Sequence, residues 1–224
     1  MFNKIYLSVL LVSVMTGCVY QPHLPDIPLI SEKNDLRIDA GVSVIAASAT
    51  VSYGLADNLS VQTFGSLGPD GKYYLQGAAG YYRNLRNFKI MEVYGGFGYG
   101  YGYAYKDANP GNLNGNYQLY FTQINYGRIR SESSGIEIGL GLKTGYLHSD
   151  LVDHNYYSWT GENSYIQYHD ESFLIEPAGF IRLGGEHLKF SIKLGGCLVY
   201  KFTNRDKHLP YTKINIGIGL NYRL

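Results

Sequence analysis

From Asp35 to the C-terminus, apolar and polar positions alternate with a period of two, the mark of half-buried β-strands rather than helices. The last run is the cleanest. Ile214, Ile216, Ile218, Leu220 and Tyr222 share one face, and Lys213, Asn215, Gly217, Gly219 and Asn221 share the other. A second run sets Ile136, Ile138, Leu140, Leu142, Thr144 and Tyr146 against Glu137, Gly139, Gly141, Lys143 and Gly145. In a third, Phe190, Ile192 and Leu194 face away from Lys189, Ser191 and Lys193. The pattern predicts strands over 36–45, 48–55, 59–67, 73–83, 88–105, 117–129, 135–147, 171–183, 188–201 and 212–224. Several exceed the roughly five or six residues usual in soluble sheets and reach the roughly 9–11 with which a tilted strand crosses a bilayer.

The connections alternate in length. Those at 56–58, 84–87, 130–134 and 184–187 are short, and those at 68–72, 106–116, 148–170 and 202–211 are mostly longer. An all-β, antiparallel up-and-down transmembrane β-barrel has this organisation, with short periplasmic turns and longer extracellular loops. About ten strands are expected, an even number that returns the chain to its own side. The very short link at Ala46–Ala47 allows the first two runs to be one bent strand, and eight strands is the smaller alternative.

The less apolar face carries Glu92, Glu137, Lys143, Glu176, Lys189, Lys193 and Lys213 among glycines. A membrane barrel turns such a face inward and pairs the charges across a narrow lumen. A soluble barrel or sandwich turns it to water instead. Aromatic residues near strand ends suit a membrane-interface girdle: Tyr73, Tyr74, Tyr105, Tyr117, Tyr146, Phe173, Tyr200, Tyr211 and Tyr222. With 23 tyrosines in the chain, however, many would fall near strand ends by chance.

Composition narrows the classes. The 28 glycines lie inside periodic runs, which disordered chains lack. A formal net charge of +1, without a basic run interleaved with aromatics, gives no case for nucleic acid. The amino terminus gives a compartment. Lys4 precedes an apolar stretch over 5–15, too short to span a bilayer as a stable helix. Met15-Thr16-Gly17-Cys18 follows and resembles the bacterial lipobox, with Met15 where leucine is more usual.

That resemblance implies that residues 1–17 are a lipoprotein signal peptide, removed before Cys18, and that Cys18 carries palmitate-type acyl chains. Residues 18–34 then read as a lipidated tether, kept extended by Pro22, Pro25 and Pro28, and residues 35–224 as the barrel. An acylated Cys18 leaves Cys197 without an intrachain disulfide partner. Cys197 itself reads as a small buried or lipid-facing residue.

The runs Cys18-Val-Tyr-Gln-Pro22, Pro28-Leu-Ile-Ser-Glu-Lys33 and Val51-Ser-Tyr-Gly-Leu-Ala-Asp-Asn-Leu-Ser60 resemble uncharacterised outer-membrane β-barrel lipoproteins of Bacteroidota. The resemblance implies an outer-membrane location and no enzymatic role. The acidic surface-export signal of such proteins is absent, because Val19-Tyr20-Gln21 follows the cysteine. The lipid is therefore expected in the periplasmic leaflet.

No catalytic, metal or cofactor residues are assigned. The stretch 148–170 gathers His148, Asp150, His154, Trp159 and His169, a candidate loop for a ligand or a protein or glycan partner. A His–carboxylate set can hold a metal, but this spacing matches no established zinc pattern. Alternating glycine and tyrosine at 95–102 lacks the strand–loop–helix setting of a phosphate loop. The expected function is a small barrel lipoprotein with a structural or surface-interaction role and outer-membrane lipids as partners. The alternatives are a tethered soluble lipocalin-like binder, and a lipid-modifying or small-solute-transporting barrel.

Overall fold

The period-two pattern becomes a closed ring of strands in the computed structural model, which describes residues 19–20, 23–105, 111–129, 135–156, 163–205 and 211–224. The strands are β1 (Leu36–Ser43), β2 (Ala47–Ala56), β3 (Leu59–Leu67), β4 (Tyr73–Leu85), β5 (Lys89–Tyr105) and β6 (Gly111–Ile129). They continue as β7 (Ile136–Tyr156), β8 (Asn163–Gly184), β9 (Leu188–Gly196), β10 (Leu198–Lys201) and β11 (Ile214–Arg223). From β1 to β8 each pairs antiparallel with the next. β9 and β10 both pair with β8 and form one stave interrupted at Cys197. The ring closes where β11 joins β9 on one side and β1 on the other, from Arg37↔Arg223 to Ser43↔Gly217. The barrel therefore has ten staves. Closure leaves only the short β10 paired on one side, and the other ring strands pair with neighbours on both, as hydrocarbon surroundings require.

The apolar face points outward. Ile214, Ile216, Ile218 and Leu220 are exposed, whereas Asn215 and Asn221 on the alternate face are buried. This inverted arrangement excludes a lipocalin-like barrel with an apolar interior and gives the chain the exterior of an outer-membrane barrel. On β7 the outward apolar run extends from Ile136 to Tyr146. At ~3.3 Å per residue and a tilt of about 40°, that run rises about 25 Å, the height of the apolar band of such barrels.

Its upper limit is marked by aromatics directly opposite one another on successive strands: Phe97, Tyr120, Tyr146, Phe173 and Tyr200. Tyr81, Tyr126 and Tyr222 face outward near the other rim. Of the tyrosines expected in a girdle, Tyr74 and Tyr117 turn inward and are buried.

Two of the expected long loops are largely strand. β6 begins at Gly111, β7 runs on to Tyr156 and β8 starts at Asn163, so most of 148–170 forms a tall paired hairpin above the aromatic row. The ladder continues past the membrane because strand pairing still satisfies the backbone, while the side chains change from apolar to polar. The link between Ser43 and Ala46 is a true turn, with the Ser43 amide donating to the Ala46 carbonyl at 2.8 Å, so β1 and β2 are separate strands.

The largest departure concerns the segment before β1. Expected as an extended tether, it lies inside the lumen. Val19, Tyr20, His23, Asp26, Ile27, Leu29 and Ile30 are all buried there. Cys18 and the expected signal peptide lie outside the described residues.

Candidate functional site

The occupied lumen is the most elaborated part of the molecule, and it can be followed from one rim to the other. At the short-turn rim, Asn84 donates to the Ser31 carbonyl at 2.6 Å, and Arg223 bonds Asp35 and the Ser31 hydroxyl. One step inward, Leu29 takes a left-handed conformation, φ 58°, which is costly for a branched side chain. That kink turns the amides of Leu29 and Ile30 together onto the Glu92 carboxylate, the Ile30 bond being 2.7 Å. Asn125 donates to the other Glu92 oxygen at 2.9 Å.

Deeper in, Asp26 meets opposite walls at once. Its carbonyl accepts from Gln123 at 2.8 Å and from Gln62 at 3.3 Å. Its carboxylate lies 3.1 Å from the Lys193 ammonium and 3.5 Å from the Arg182 guanidinium. Arg182 also donates to the Ile27 carbonyl at 3.0 Å. Around this point Arg37, Arg182, Lys189 and Lys193 face Asp26, Asp35, Asp39 and Glu137. Four cations thus meet four carboxylates, and Asp26 is the one member supplied by the luminal segment. Buried charge is tolerated only when paired and hydrogen-bonded in this way.

Toward the tall-hairpin rim the filling becomes aromatic. The His23 ring stacks on Tyr74 at 4.1 Å, with Nδ1 3.1 Å from the Ser66 hydroxyl. The Tyr20 hydroxyl donates to Glu176 at 2.9 Å, and its ring lies edge-on to Tyr117. Glu176 also lies beside buried Cys197. Val19 packs with Ala104, Leu113 and Leu151, residues of the tall β5–β7 portion.

The inward glycines explain how a chain fits in a narrow barrel. A Cβ at Gly195 or Gly217 would fall 2.7–2.8 Å from Leu24, and one at Gly141 would fall 2.9 Å from Ile27. At Gly102 it would collide with the Val19 carbonyl. These glycines therefore make room for the segment, while Gly98 and Gly100 make room for the Tyr74 and Tyr117 rings of neighbouring strands. Pro25 and Pro28 suit such a path, because neither carries an N–H that would need a partner in the interior.

The candidate loop residues divide. His148, Asp150 and His169 come together on the outer face of β7 and β8, above the aromatic row. His154 lies farther along β7 beside the Tyr165 ring, and Trp159 falls outside the described residues. Sequence reasoning missed Asp26, Asp35, Arg37, Asp39 and Arg182, five of the eight members of the luminal charge cluster. The available signal was the composition of residues 23–30: one acid among Leu24, Ile27, Leu29 and Ile30 is too apolar for a solvated linker.

A wall apolar outside and charged inside, around an occupied lumen, defines a barrel of the outer-membrane type. No family model matches the chain, and no curated protein matches it. Among solved structures it is similar to the N-terminal β-barrel domain of Pseudomonas aeruginosa OprF, at 13% identity over 87% of this chain and 100% of that one, with a TM-score of 0.35. It is also similar to the KdgM porin, at 10% identity over 84% and 98% of the two chains and a TM-score of 0.38. The KdgM porin in complex with disordered oligogalacturonate gives 10% identity over the same shares and a TM-score of 0.40. Likeness this distant adds nothing to what strand pairing and the apolar exterior already establish.

Proposed function

We propose that this protein is an outer-membrane lipoprotein that threads its own N-terminal segment through its barrel, sealing the lumen and presenting its lipid at the cell surface. The observation that carries this reading is the path of the segment, with Ser31 at the short-turn rim and Val19 among the tall strands. Tall hairpins mark the extracellular side of such barrels. Adjacent Cα atoms are about 3.8 Å apart, so an acyl group on Cys18 starts within one residue of Val19. The periplasmic leaflet expected from the sequence is thereby exchanged for the outer one. Protein or glycan partners then meet the tall hairpin from outside.

Solute transport is the reading toward which the porin names point. In this chain it requires residues 19–30 to leave the lumen, breaking every Asp26 contact described above.

The lipid and the barrel can be tested separately. The mature wild-type chain is expected to have a mass that begins at Cys18 and includes acyl groups. Cys18→Ala, exported behind an ordinary cleavable leader, should lose that mass and still need detergent for extraction. An unmodified Cys18 in the wild type would overturn the lipid reading. Release of the variant as a soluble protein would overturn the embedded barrel.

A further inference from the structure

We propose that His148, Asp150 and His169 form a binding site for a divalent transition cation of the zinc class on the extracellular wall of the barrel. The β7–β8 register sets Asp150 directly opposite His169, and His148 opposite Glu171. His148 and Asp150 are two residues apart on one strand and so share a face. All three side chains therefore converge from rigid, paired backbone.

The donor atoms are already close to a coordination shell. His148 Nε2 stands 3.5 Å from Asp150 Oδ1, and His169 Nδ1 hydrogen-bonds that same oxygen. The two imidazoles are stacked, with centroids 6.0 Å apart and planes within 12°. The three donor atoms all lie within 4.8 Å of one another. Around a tetrahedral zinc with ligand bonds of about 2.0–2.2 Å, donors stand about 3.3–3.5 Å apart. The first separation fits as it stands. The second must open, and the exposed His169 side chain is the one with the most room to turn.

Exposure provides both the entry route and this freedom, with the side chains 32%, 49% and 78% accessible for His148, Asp150 and His169. Asn204 donates to the His169 carbonyl at 2.6 Å and holds that strand position in place. Two imidazoles and one carboxylate favour zinc, copper or nickel over magnesium or calcium, which prefer all-oxygen shells. Three protein ligands leave a fourth position open to water or to a donor from another molecule. Because the site lies on the exposed hairpin above the aromatic row, that position faces the medium.

The test is calorimetric titration of the metal-free, detergent-folded full chain with zinc chloride, with heat-dependent gel mobility confirming that each variant is folded. Wild type should bind one saturating equivalent. His148→Ala and His169→Ala should each weaken binding by about tenfold or more. His154→Ala, outside the group on the same hairpin, should bind as wild type does. Absence of saturable binding in wild type, or wild-type affinity in both folded histidine variants, would overturn the site and leave an ordinary surface His–Asp hydrogen bond. Equal weakening by His154→Ala would do the same, because it would place the cation elsewhere.

Discussion

Deleting residues 19–30 turns a barrel that passes no steady current into one that conducts. The full chain in a planar bilayer should remain electrically quiet, since Tyr20, His23, Asp26, Ile27 and Leu29 fill its interior. The deleted chain should open stepwise, narrow channels. A ten-strand barrel is small enough for side chains to fill in principle. Here the positions along the segment's path include Gly102, Gly141, Gly195 and Gly217, which have no side chain to swing into the space left behind. Silence from the folded deletion variant would show that the walls close the lumen unaided. Steady conductance by the full chain would show that the segment is no seal.

Arg182→Ala should be the most damaging single substitution. Its guanidinium lies 3.5 Å from each of Asp26, Asp39 and Glu137 and bonds the Ile27 carbonyl, with its side chain fully buried. Truncation would leave three buried carboxylates short of a partner. Removing one member of a buried pair typically costs about 3–5 kcal/mol, far above the net value of an exposed ion pair. The loss should appear as a lower urea midpoint for refolded protein and a lower temperature at which the compact gel band disappears. Arg83→Ala, on the exposed part of β4, should change stability by about 0.5 kcal/mol or less. Equal effects from the two variants would mean that the luminal ion cluster does not hold the fold together.

The barrel was largely legible because its signal repeats. Every strand places a lipid-facing residue beside an inward one, and the Ile214–Tyr222 alternation alone is enough to determine a face. The period alone does not say which face is inside, since it also serves a soluble barrel; strand length and the alternation of short and long connections pointed to the outward apolar face that the structure has. The height of the strands was also underestimated. Beyond Tyr146 and Phe173 the outward residues become polar, and a polar strand has no alternation to distinguish it from a loop. The luminal segment was misread for a related reason. Prolines every third residue signal extended chain, but local pattern does not report whether extended chain lies in water or inside a wall of glycine.

The same limit applies to the sites. His148, Asp150 and His169 were singled out by residue type, while their convergence depended on a cross-strand register 19 residues apart in sequence. Asp26 and Arg182 are 156 residues apart, and only closure of the ring brings them together. At Gly102, Gly141, Gly195 and Gly217 the space left by the absent side chain is taken by the chain's own beginning.

The path of that segment is the central claim, and the side on which the N-terminus emerges tests it most directly. A short peptide epitope can be placed ahead of Val19, behind a non-lipid leader, with barrel folding confirmed by heat-dependent mobility. Antibody binding to intact cells is the predicted result, because a segment that passes from Ser31 up to Val19 leaves the barrel on its extracellular side. Binding only after the outer membrane has been opened would place the N-terminus in the periplasm and contradict the threaded lumen.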